Sequence, residues 1–469
     1  MATATAEPPL VVVGDARGLG RHARTDAVVR LGTGLLLWAG LLLITYWWDA
    51  DGGINDLARP ATGLLSIGRL TGLWSAHLLL VQVLLMSRLP ALENAFGRNR
   101  LVAIHRIVGL TSFYLMVAHI VTIVGGYASA RWSLVLPTTW QLVTEYGGML
   151  LATAGTVALI MVVVTSIKAA RRRLRYESWH LIHLYGYLGA GLALPHQLWT
   201  GQEFLRSRGA TLYWWSLWGA AGLAVIIWRL ILPIWRSVRF DLRVAAVITE
   251  SADTVSVLLS GRRLDRLPVQ PGQFLIVRFL SGAGWTRANP FSISAAADGQ
   301  SLRITARAVG DGSARLAGLR PGVRVAFEGP YGRLSPRART VRPVLLAGAG
   351  IGVTPLRALA EGLEYAAGEA TLLYRYTGEP LFAAEFDRLA GARGLKILAL
   401  PGARSGSGGV LGPVAAGHDE LQVLRHWLPE LVESDVYICG PQPWASGLER
   451  LVAAAGVPAD RIHTEAFGW

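Results

Sequence analysis

The sequence predicts a bundle of six membrane-spanning helices, followed by an antiparallel β-barrel and an α/β domain with a parallel sheet. Hydrophobic residues make up 52% of the 469 residues and charged residues only 16%, which is unusual for a wholly soluble protein. The long apolar stretches stop near residue 235, and short alternating segments and then alternating strands and helices follow. We therefore expect an N-terminal segment (1–30), a membrane domain (31–235), a β-barrel (236–338) and an α/β domain (339–469).

Six apolar stretches are about as long as a bilayer requires. The net charge is +14, and Lys168 and Lys396 are the only lysines. Arginines cluster before the first stretch, in every second connection and after the sixth stretch. By the positive-inside rule, this pattern predicts a multi-pass protein of the cell membrane with both termini in the cytoplasm, and it explains the charge without nucleic acid. The predicted spans are Leu31–Trp48, Leu64–Ser87, Leu101–Gly125, Gly147–Ile167, Leu181–Thr200 and Thr211–Leu232.

Two of these spans carry paired histidines. His105 and His119 are fourteen residues apart, roughly 21 Å along a helix, so both imidazoles point the same way near opposite membrane surfaces. His183 and His196 are thirteen apart, which is off the same face of an ideal helix, but a bend at Pro195 can restore that face. Ionisable side chains at bilayer depth usually have a function or a partner. Four at matched depths predict an inner and an outer bis-histidine haem; the alternative is structural histidines bonded to neighbouring helices.

Other polar side chains in the bundle are candidates for structural or haem-binding roles. His180 competes with His183 for the inner position, but its pairing with His196 has a poorer rise and angle. We expect His77 to be a hydrogen-bonded bundle histidine. Arg88 and Arg106 near the inner end are candidates for haem propionates or simply interfacial charges. On the outer side, Arg69 is a candidate for a propionate or for an anionic acceptor.

Short alternating segments after residue 240 predict a small β-barrel, and alternating strands and helices after residue 342 predict a parallel sheet with crossover helices. Helices are expected near Pro355–Ala366 and Phe382–Leu389. The Gly-rich segment 401–413 is expected to be a loop. The expected strands are Leu242–Thr249, Thr254–Leu259, Phe274–Phe279, Leu302–Ala308, Val323–Phe327, Pro343–Ala347, Ala370–Tyr376, Leu395–Leu400 and Asp435–Cys439.

The Gly-rich turn L-A-G-A-G-I-G-V-T-P, from Leu346 to Pro355, follows a strand and precedes a helix. In that context, backbone amides can approach a pyrophosphate at the positive end of the helix. A second strand ends in the turn Cys439-Gly440-Pro441. Because Cys439 is the only cysteine, an intrachain disulfide and a cysteine metal site are excluded. The turn residues concerned are Gly348, Gly350, Gly352, Thr354 and Pro355.

Three polar turns precede this dinucleotide signature. They are R-A-N-P-F-S (Arg287 to Ser292), R-A-V-G-D-G-S (Arg307 to Ser313) and G-P-Y-G (Gly329 to Gly332). Each alone is compatible with ordinary turn chemistry. In this order, ahead of a dinucleotide turn, they predict a flavin site.

Taken together, the chain after about Leu31 resembles the ferric reductase and NADPH oxidase superfamily of transmembrane flavocytochromes, in a prokaryotic form. The resemblance implies an FAD-binding β-barrel, a Rossmann-like NADP domain and two b-type haems on the pairs His105–His183 and His119–His196. It also implies that Pro290, Phe291 and Ser292 line the isoalloxazine, beside Asn289. The remaining implied FAD contacts are Arg287, Arg307, Gly312 and Ser313.

The same resemblance implies roles at the nicotinamide end of the site. Cys439 would lie near the nicotinamide, and Phe467 would stack on the flavin until nicotinamide displaces it. Arg375 would bind the 2′-phosphate of NADPH, and no acidic residue stands beside it to select NADH. The dinucleotide turns include Gly440 and Pro441.

The chain departs from the animal oxidases of that superfamily at three positions. Asn289 replaces a histidine of the flavin turn, Ile123 replaces an additional outer histidine, and Gly189 replaces an aromatic residue between the haems. The change at Ile123 favours a ferric chelate or another extracytoplasmic acceptor over a dedicated oxidase that makes superoxide.

We therefore expect electrons to pass from cytoplasmic NADPH through FAD and two haems to an extracytoplasmic acceptor. One alternative is an electron-transfer subunit that serves an extracytoplasmic redox partner. Another is a membrane-anchored flavin reductase whose histidines are structural. The sequence specifies neither the acceptor nor the oligomeric state.

Overall fold

The computed structural model describes residues 19–129, 131–174, 176–282, 284–402 and 409–467. The chain divides into two compact units. One is Val28–Leu230, and the other is the segment from Ile231 onward together with the residues up to Ala27. Part of the predicted loop 401–413 and the side chain of Phe467 lie outside the description.

Five helices among the described residues are long and apolar enough to cross a membrane: Arg21–Ala50, Thr62–Met86, Arg98–Tyr127, Met149–Ser166 and Arg208–Phe240. The predicted fifth span lies in a 24-residue helix, Tyr176–Trp199, that is not one of these five. This helix carries Glu177, three histidines and Gln197. The number of six spans is therefore not confirmed.

We label seven helices of the N-terminal half of the chain α1 to α7. The structure also contains helices that the sequence did not predict, including Pro90–Phe96 and Val135–Glu145. A π-helical turn, Val225–Ile231, joins the last two labelled helices. The labelled helices are α1 (Arg21–Ala50), α2 (Pro60–Met86), α3 (Arg98–Tyr127), α4 (Met149–Ser166), α5 (Tyr176–Trp199), α6 (Arg208–Ala224) and α7 (Leu232–Phe240).

Helices α2 and α3 pack closely through small and hydroxylated residues. The Ser75 hydroxyl donates to the Ser112 carbonyl, and the Ser112 hydroxyl donates to the Ser75 carbonyl, both at 2.8 Å. Helices α4 and α5 approach at Gly155, where an added Cβ would lie 2.8 Å from the Gly189 carbonyl oxygen. Small residues at such crossings let helix backbones approach each other, and these two contacts fix the helices that carry the histidines.

The first part of the second unit consists of two three-stranded antiparallel sheets, ordered β1-β2-β5 and β4-β3-β6. Isolated bridges Arg243–Arg324 and Ile293–Ile304 link their edges, and one hydrophobic core lies between them. No closed barrel is found in the described residues, so that detail of the prediction is not confirmed. The strands are β1 (Arg243–Ser251), β2 (Thr254–Ser260), β3 (Phe274–Phe279), β4 (Asn289–Ser292), β5 (Ser301–Arg307) and β6 (Val325–Tyr331).

The second part is a five-stranded parallel sheet in the order β11-β10-β7-β8-β9. The sequence prediction omitted β11 and placed the first helix at Pro355–Ala366, whereas the helix is Val353–Gly362. The strands are β7 (Val344–Ala349), β8 (Ala370–Tyr376), β9 (Lys396–Pro401), β10 (Asp435–Pro441) and β11 (Ile462–Phe467). The helices are α8 (Val353–Gly362), α9 (Ala383–Arg393), α10 (Glu420–Trp427) and α11 (Gln442–Ala454).

An ion-pair network connects the antiparallel sheets to the parallel-sheet domain. Arg303 of β5 pairs with Glu385 of α9 through two bonds of 2.9 and 3.0 Å. Arg357 of α8 also pairs with Glu385, at 2.5 Å. Burial opposes ionisation of Glu385, but the two arginines outweigh it and lower the pKa of this carboxyl below its ordinary value. The carboxylate therefore stays charged and holds the two parts together.

Candidate functional site

His119 has a hydrogen bond that fixes its tautomer. Its Nδ1 lies 2.7 Å from the carbonyl oxygen of Gly68 on α2. A carbonyl can only accept, so Nδ1 carries the proton and Nε2 keeps its lone pair. The contact needs a small residue one turn further along α2, because a Cβ at Gly72 would lie 2.5 Å from His119 Nδ1. A hydrogen bond from the ring nitrogen that does not bind the metal is typical of metal-ligating histidines.

The hydrogen bonds of Ser166 indicate that Nδ1 of His183 also carries the ring proton. The Ser166 hydroxyl donates to the Val162 carbonyl at 2.7 Å, so its proton is already used. Its oxygen therefore accepts from the Trp179 indole at 3.3 Å and from His183 Nδ1 at 3.2 Å. A proton on Nδ1 again leaves Nε2 of His183 with a free lone pair.

The structure brings together the histidines of α3 and α5. The ring centroids of His105 and His183 are 6.0 Å apart, and their planes meet at 67°. At the other end, His196 lies close enough to His119 for an electrostatic interaction. Nδ1 of His105 and Nδ1 of His196 are buried and have no hydrogen-bond partner among the described residues. The electrostatic interaction between His196 and His119 is present although Pro195 lies within α5.

These residues fit haem ligation. Haem iron takes neutral imidazole as an axial ligand, and the hydrogen bonds of His119 and His183 leave the nitrogen that such a ligand needs. The described residues contain no cluster of three or more histidines, cysteines and carboxylates that could hold a bare metal ion. A haem needs only two protein ligands, and this is what each histidine pair offers.

Two of the other polar candidates of the bundle, Arg88 and His77, have protein partners. Arg88 is buried and pairs with Glu93 at 3.0 Å, whereas Arg106 is exposed. Nδ1 of His77 lies 2.7 Å from the Tyr213 hydroxyl, so the expected hydrogen-bonded bundle histidine is confirmed. Arg88 is thus engaged by a carboxylate.

Arg69 belongs to a charged cluster that includes Glu203, a residue that no sequence motif marked. Arg69 pairs with Asp56 at 2.7 Å and with Glu203 at 3.5 Å. Arg206 pairs with Asp51 at 2.7 Å. Burial and a hydrogen bond with Asp51 raise the pKa of Glu203 to about 7. The carboxylates of Asp56 and Glu203 both pair with Arg69, so an anion that binds Arg69 must compete with them.

In the parallel sheet, the two predicted dinucleotide turns meet. They follow β7 and β10, which are neighbours although the chain visits β8 and β9 between them. A Cβ at Gly352 would lie 2.3 Å from the carbonyl oxygen of Cys439. Gly350 has a φ of +55° and no atom within 4 Å of its Cβ position. Open space beside a glycine turn at such a strand-order reversal suits a pyrophosphate.

Cys439 is buried in this sheet rather than exposed in the turn. It is 1% exposed and belongs to the hydrophobic core. Burial raises the pKa of its thiol well above the ordinary value, so the thiol is protonated at neutral pH. Thr354 is also buried, and its hydroxyl donates to the Ile351 carbonyl at 2.6 Å. Pro355 is buried within α8. Of Phe467, only the backbone is described; it pairs with Pro441.

Two of the three flavin motifs come into contact. A Cβ at Gly312 would lie 2.9 Å from Oδ1 of Asn289. Ser313 stabilises its own turn, because its hydroxyl accepts from the Val309 amide at 3.0 Å. Phe291 packs in the core against Phe279, with ring centroids 6.5 Å apart. This placement gives no support to the expectation that Phe291 lines a flavin. The neighbours Pro290 and Ser292 alternate with it along β4.

Three arginines lie in or next to the predicted flavin motifs, and the sequence analysis did not identify one of them, Arg315. Arg307 pairs with Asp253 at 2.5 Å, so a phosphate would compete with that carboxylate. Arg315 and Arg287 both lie beside Gly284, within 3.1 and 3.5 Å of its Cβ position. Arg315 follows the Gly-Asp-Gly-Ser turn, but no motif marks it, because its approach to Arg287 depends on tertiary packing.

Arg375 stands at the end of β8, as predicted. Its Nη1 donates to the carbonyls of Leu400 and Gly402, at 3.0 and 2.9 Å. A Cβ at Gly412 would lie 2.5 Å from its guanidinium carbon. The side chain is therefore positioned by the loop after β9. The contact of Arg375 with the 2′-phosphate of NADPH stays a prediction.

The comparisons with known proteins agree with this division. Residues 71–194 match the family described as ferric reductase like transmembrane component. The chain is 34% identical over 208 residues to the ferredoxin–NAD(+) reductase component of the Xanthobacter autotrophicus alkene monooxygenase system, covering 42% of this chain and 61% of that protein. It is 29% identical over 239 residues to the ferredoxin reductase component of the Mycolicibacterium smegmatis 3-ketosteroid-9-alpha-monooxygenase, covering 48% and 65%.

A third relative is the flavohemoprotein of Chromobacterium violaceum, 30% identical over 244 residues, which cover 48% of this chain and 60% of that protein. The chain thus spans less than two thirds of these relatives. The family match and the relatives together confirm the resemblance drawn from the motifs. They support a membrane protein in which apolar helices precede a ferredoxin-reductase-like FAD and NAD(P)H domain.

Proposed function

We propose that this chain, which belongs to the ferric reductase and NADPH oxidase-like superfamily, carries electrons from cytoplasmic NADPH across the membrane to an acceptor on the outer face. The proposal includes six spans, FAD, two b-type haems and an NADPH site. The chemistry that FAD and haem supply when bound is the conversion of a hydride into single electrons and their conduction. The contacts of Nδ1 of His119 with the Gly68 carbonyl and of Nδ1 of His183 with the Ser166 hydroxyl are the observation that carries the proposal, because they leave Nε2 of each ring available.

The residues of the chain hold and orient these groups. His105 with His183, and His119 with His196, would bind the inner and the outer haem. Gly68 and Ser166 accept the Nδ1 protons of His119 and His183, which fixes the tautomer and the orientation of both rings. The turns at Gly350 and Cys439–Pro441 would receive NADPH, and Asn289 with the Gly312 turn would receive FAD.

For the acceptor we propose a ferric chelate or oxygen, with Arg69 as the cation nearest to it. Asp56 and Glu203 offset the charge of Arg69, which favours a ferric complex over a small anion such as superoxide. A competition in air separates the two: NADPH-driven iron reduction should persist when superoxide is scavenged. Loss of iron reduction under scavenging would mean that oxygen is the direct acceptor.

Haem content tests the histidine assignment. Purified protein should contain two b-type haems per chain, and His119→Leu or His196→Leu should remove one of them. His77→Leu is the matched control, because His77 is a histidine of the same bundle with its own partner, Tyr213. Full haem content after replacement of both His119 and His196 would refute the assignment and favour an anchored flavin reductase.

A second candidate function is an electron-transfer subunit. Two of the relatives are named as reductase components of multi-protein oxygenase systems, which favours a protein acceptor. Reduction of a ferric chelate by the purified chain alone, at the rate at which NADPH is consumed, would exclude an obligatory partner.

A further inference from the structure

An open cleft of about 350 Å³ lies beside the end of α7. Its lining consists of Trp235, Val238, Arg239, Arg262 and Arg263. Trp235 is 51% exposed and Val238 is 74% exposed, although both are large apolar side chains. Three cations and two exposed apolar groups therefore share one concave surface, outside the flavin, dinucleotide and histidine sites.

The cleft is assembled from two segments that are distant in sequence. Helix α7 supplies Arg239, and the turn after β2 supplies Arg262 and Arg263. The Arg262 amide donates to the Phe240 carbonyl at 2.7 Å, which fixes that turn against the end of the helix. Arg263 has a φ of +53°, an uncommon backbone conformation for a residue with a side chain. The arginines are thus held together by the backbone.

The positive charge of the cleft is only weakly compensated. The guanidinium of Arg239 lies over the Trp235 ring, 5.2 Å from its centroid. Arg262 is 3.8 Å from Asp241, but that carboxylate is nearer to Arg243, at 3.0 Å. Over the described part of the chain, Arg239 and Arg263 form no ion pair with a carboxylate. Grouped arginines with free donors match the oxygens of a phosphate.

The position of α7 indicates which kind of molecule carries this phosphate. The continuous helix Arg208–Phe240 has 33 residues, or about 50 Å of length, whereas the hydrocarbon core of a bilayer is about 30 Å thick. Its final turns therefore extend into the interfacial layer, where tryptophan and arginine are favoured. We propose that this cleft binds the phosphate of an anionic phospholipid, with Trp235 and Val238 against the upper part of its acyl chains.

Native mass spectrometry of the purified full-length protein in neutral detergent tests this site. Phosphatidylglycerol and phosphatidylcholine are titrated separately, and the fraction of protein that retains lipid is measured. The double variant Arg239→Gln/Arg263→Gln should bind phosphatidylglycerol about tenfold more weakly. Arg450→Gln, which removes one exposed charge from α11, should bind it like the wild type. Arg239→Lys/Arg263→Lys should bind better than the glutamine variant, because it keeps the charge.

Two further arms identify the source of the phosphate and guard against misfolding. Glycerol phosphate should not displace the lipid at equal concentration; displacement would mean that a soluble phosphate is bound instead and would overturn the proposal. Equal retention of the two lipids, or unchanged retention in the glutamine variant, would also overturn it. If that variant is not monodisperse, Trp235→Leu replaces it, since this change keeps every charge and should still weaken lipid retention.

Discussion

Nδ1 of His119 lies 2.7 Å from the carbonyl oxygen of Gly68, so one helix fixes the tautomer of a histidine on its neighbour. The next turn of α2 places Gly72 beside the same ring. The ligand geometry proposed for the outer haem therefore depends on the spacing of α2 and α3. It can be tested without changing a ligand.

Gly72→Ala should displace His119, because the added Cβ would lie 2.5 Å from Nδ1. We expect loss of most of the outer haem, with the inner haem retained, measured from the haem content and the reduced-minus-oxidised spectrum. Gly34→Ala is the control, since no atom lies within 4 Å of that Cβ position. Normal haem content in Gly72→Ala would contradict the proposed role of His119.

Ser166→Ala should change the inner haem selectively. If His183 binds the inner haem, its hydrogen bond from Nδ1 to Ser166 would raise the basicity of the ligand and stabilise ferric iron. Its removal should raise the midpoint potential of one haem, by on the order of tens of mV. Redox titration of the two haems measures this change. If Ser166→Ala instead shifts the midpoint potential of the haem that His119→Leu removes, His183 would not be a ligand of the inner haem and the proposed pairing would be wrong.

Glu203 should make the outer site sensitive to pH. Its pKa is raised to about 7 by burial and by Asp51, so the carboxyl loses its charge as pH falls through about 7. The lost negative charge beside Arg69 should raise the potential of the outer haem below pH 7. The same raised pKa means that the contribution of Glu203 to folding stability is fully present below about pH 4.5 and is lost as pH rises through about 7. Glu203→Gln should remove both dependences; a wild-type pH profile in this variant would reject Glu203 as the group responsible.

Gly352→Ala should separate the two dinucleotide turns, because its Cβ would lie 2.3 Å from the Cys439 carbonyl oxygen. Flavin reduction by NADPH should slow at least tenfold in stopped-flow measurements, while the bound flavin content stays constant. Gly391→Ala on α9 has no atom near its Cβ position and serves as the control. Equal rates in the two variants would contradict the proposed NADPH site.

Arg375→Gln should reduce the preference for NADPH over NADH if this arginine binds the 2′-phosphate. The ratio of the two kcat/KM values should fall by about tenfold. Because Arg375 also holds the carbonyls of Leu400 and Gly402, thermal unfolding must be compared in parallel. An unchanged ratio, or equal wild-type rates with NADH, would refute this specificity.

The sequence predicted features that depend on local spacing, such as the glycine turn after β7 and the domain order. It did not predict the partners Gly68 and Ser166, because these contacts depend on which helices pack together. Asn289–Ser292 was interpreted as part of a polar turn, yet it is a strand that pairs with β3. The interaction of His196 with His119 could not be derived from ideal helix geometry, since α5 contains Pro195.

The central claim is that the histidine pairs conduct electrons across the membrane. It is tested most directly in proteoliposomes with a membrane-impermeant ferric chelate trapped inside and NADPH supplied outside. We predict that ferrous chelate accumulates in the lumen, and that His196→Leu abolishes this accumulation while NADPH-driven reduction of an external dye continues. Wild-type reduction in the lumen by the His196→Leu protein, or none by the wild-type protein, would contradict the account.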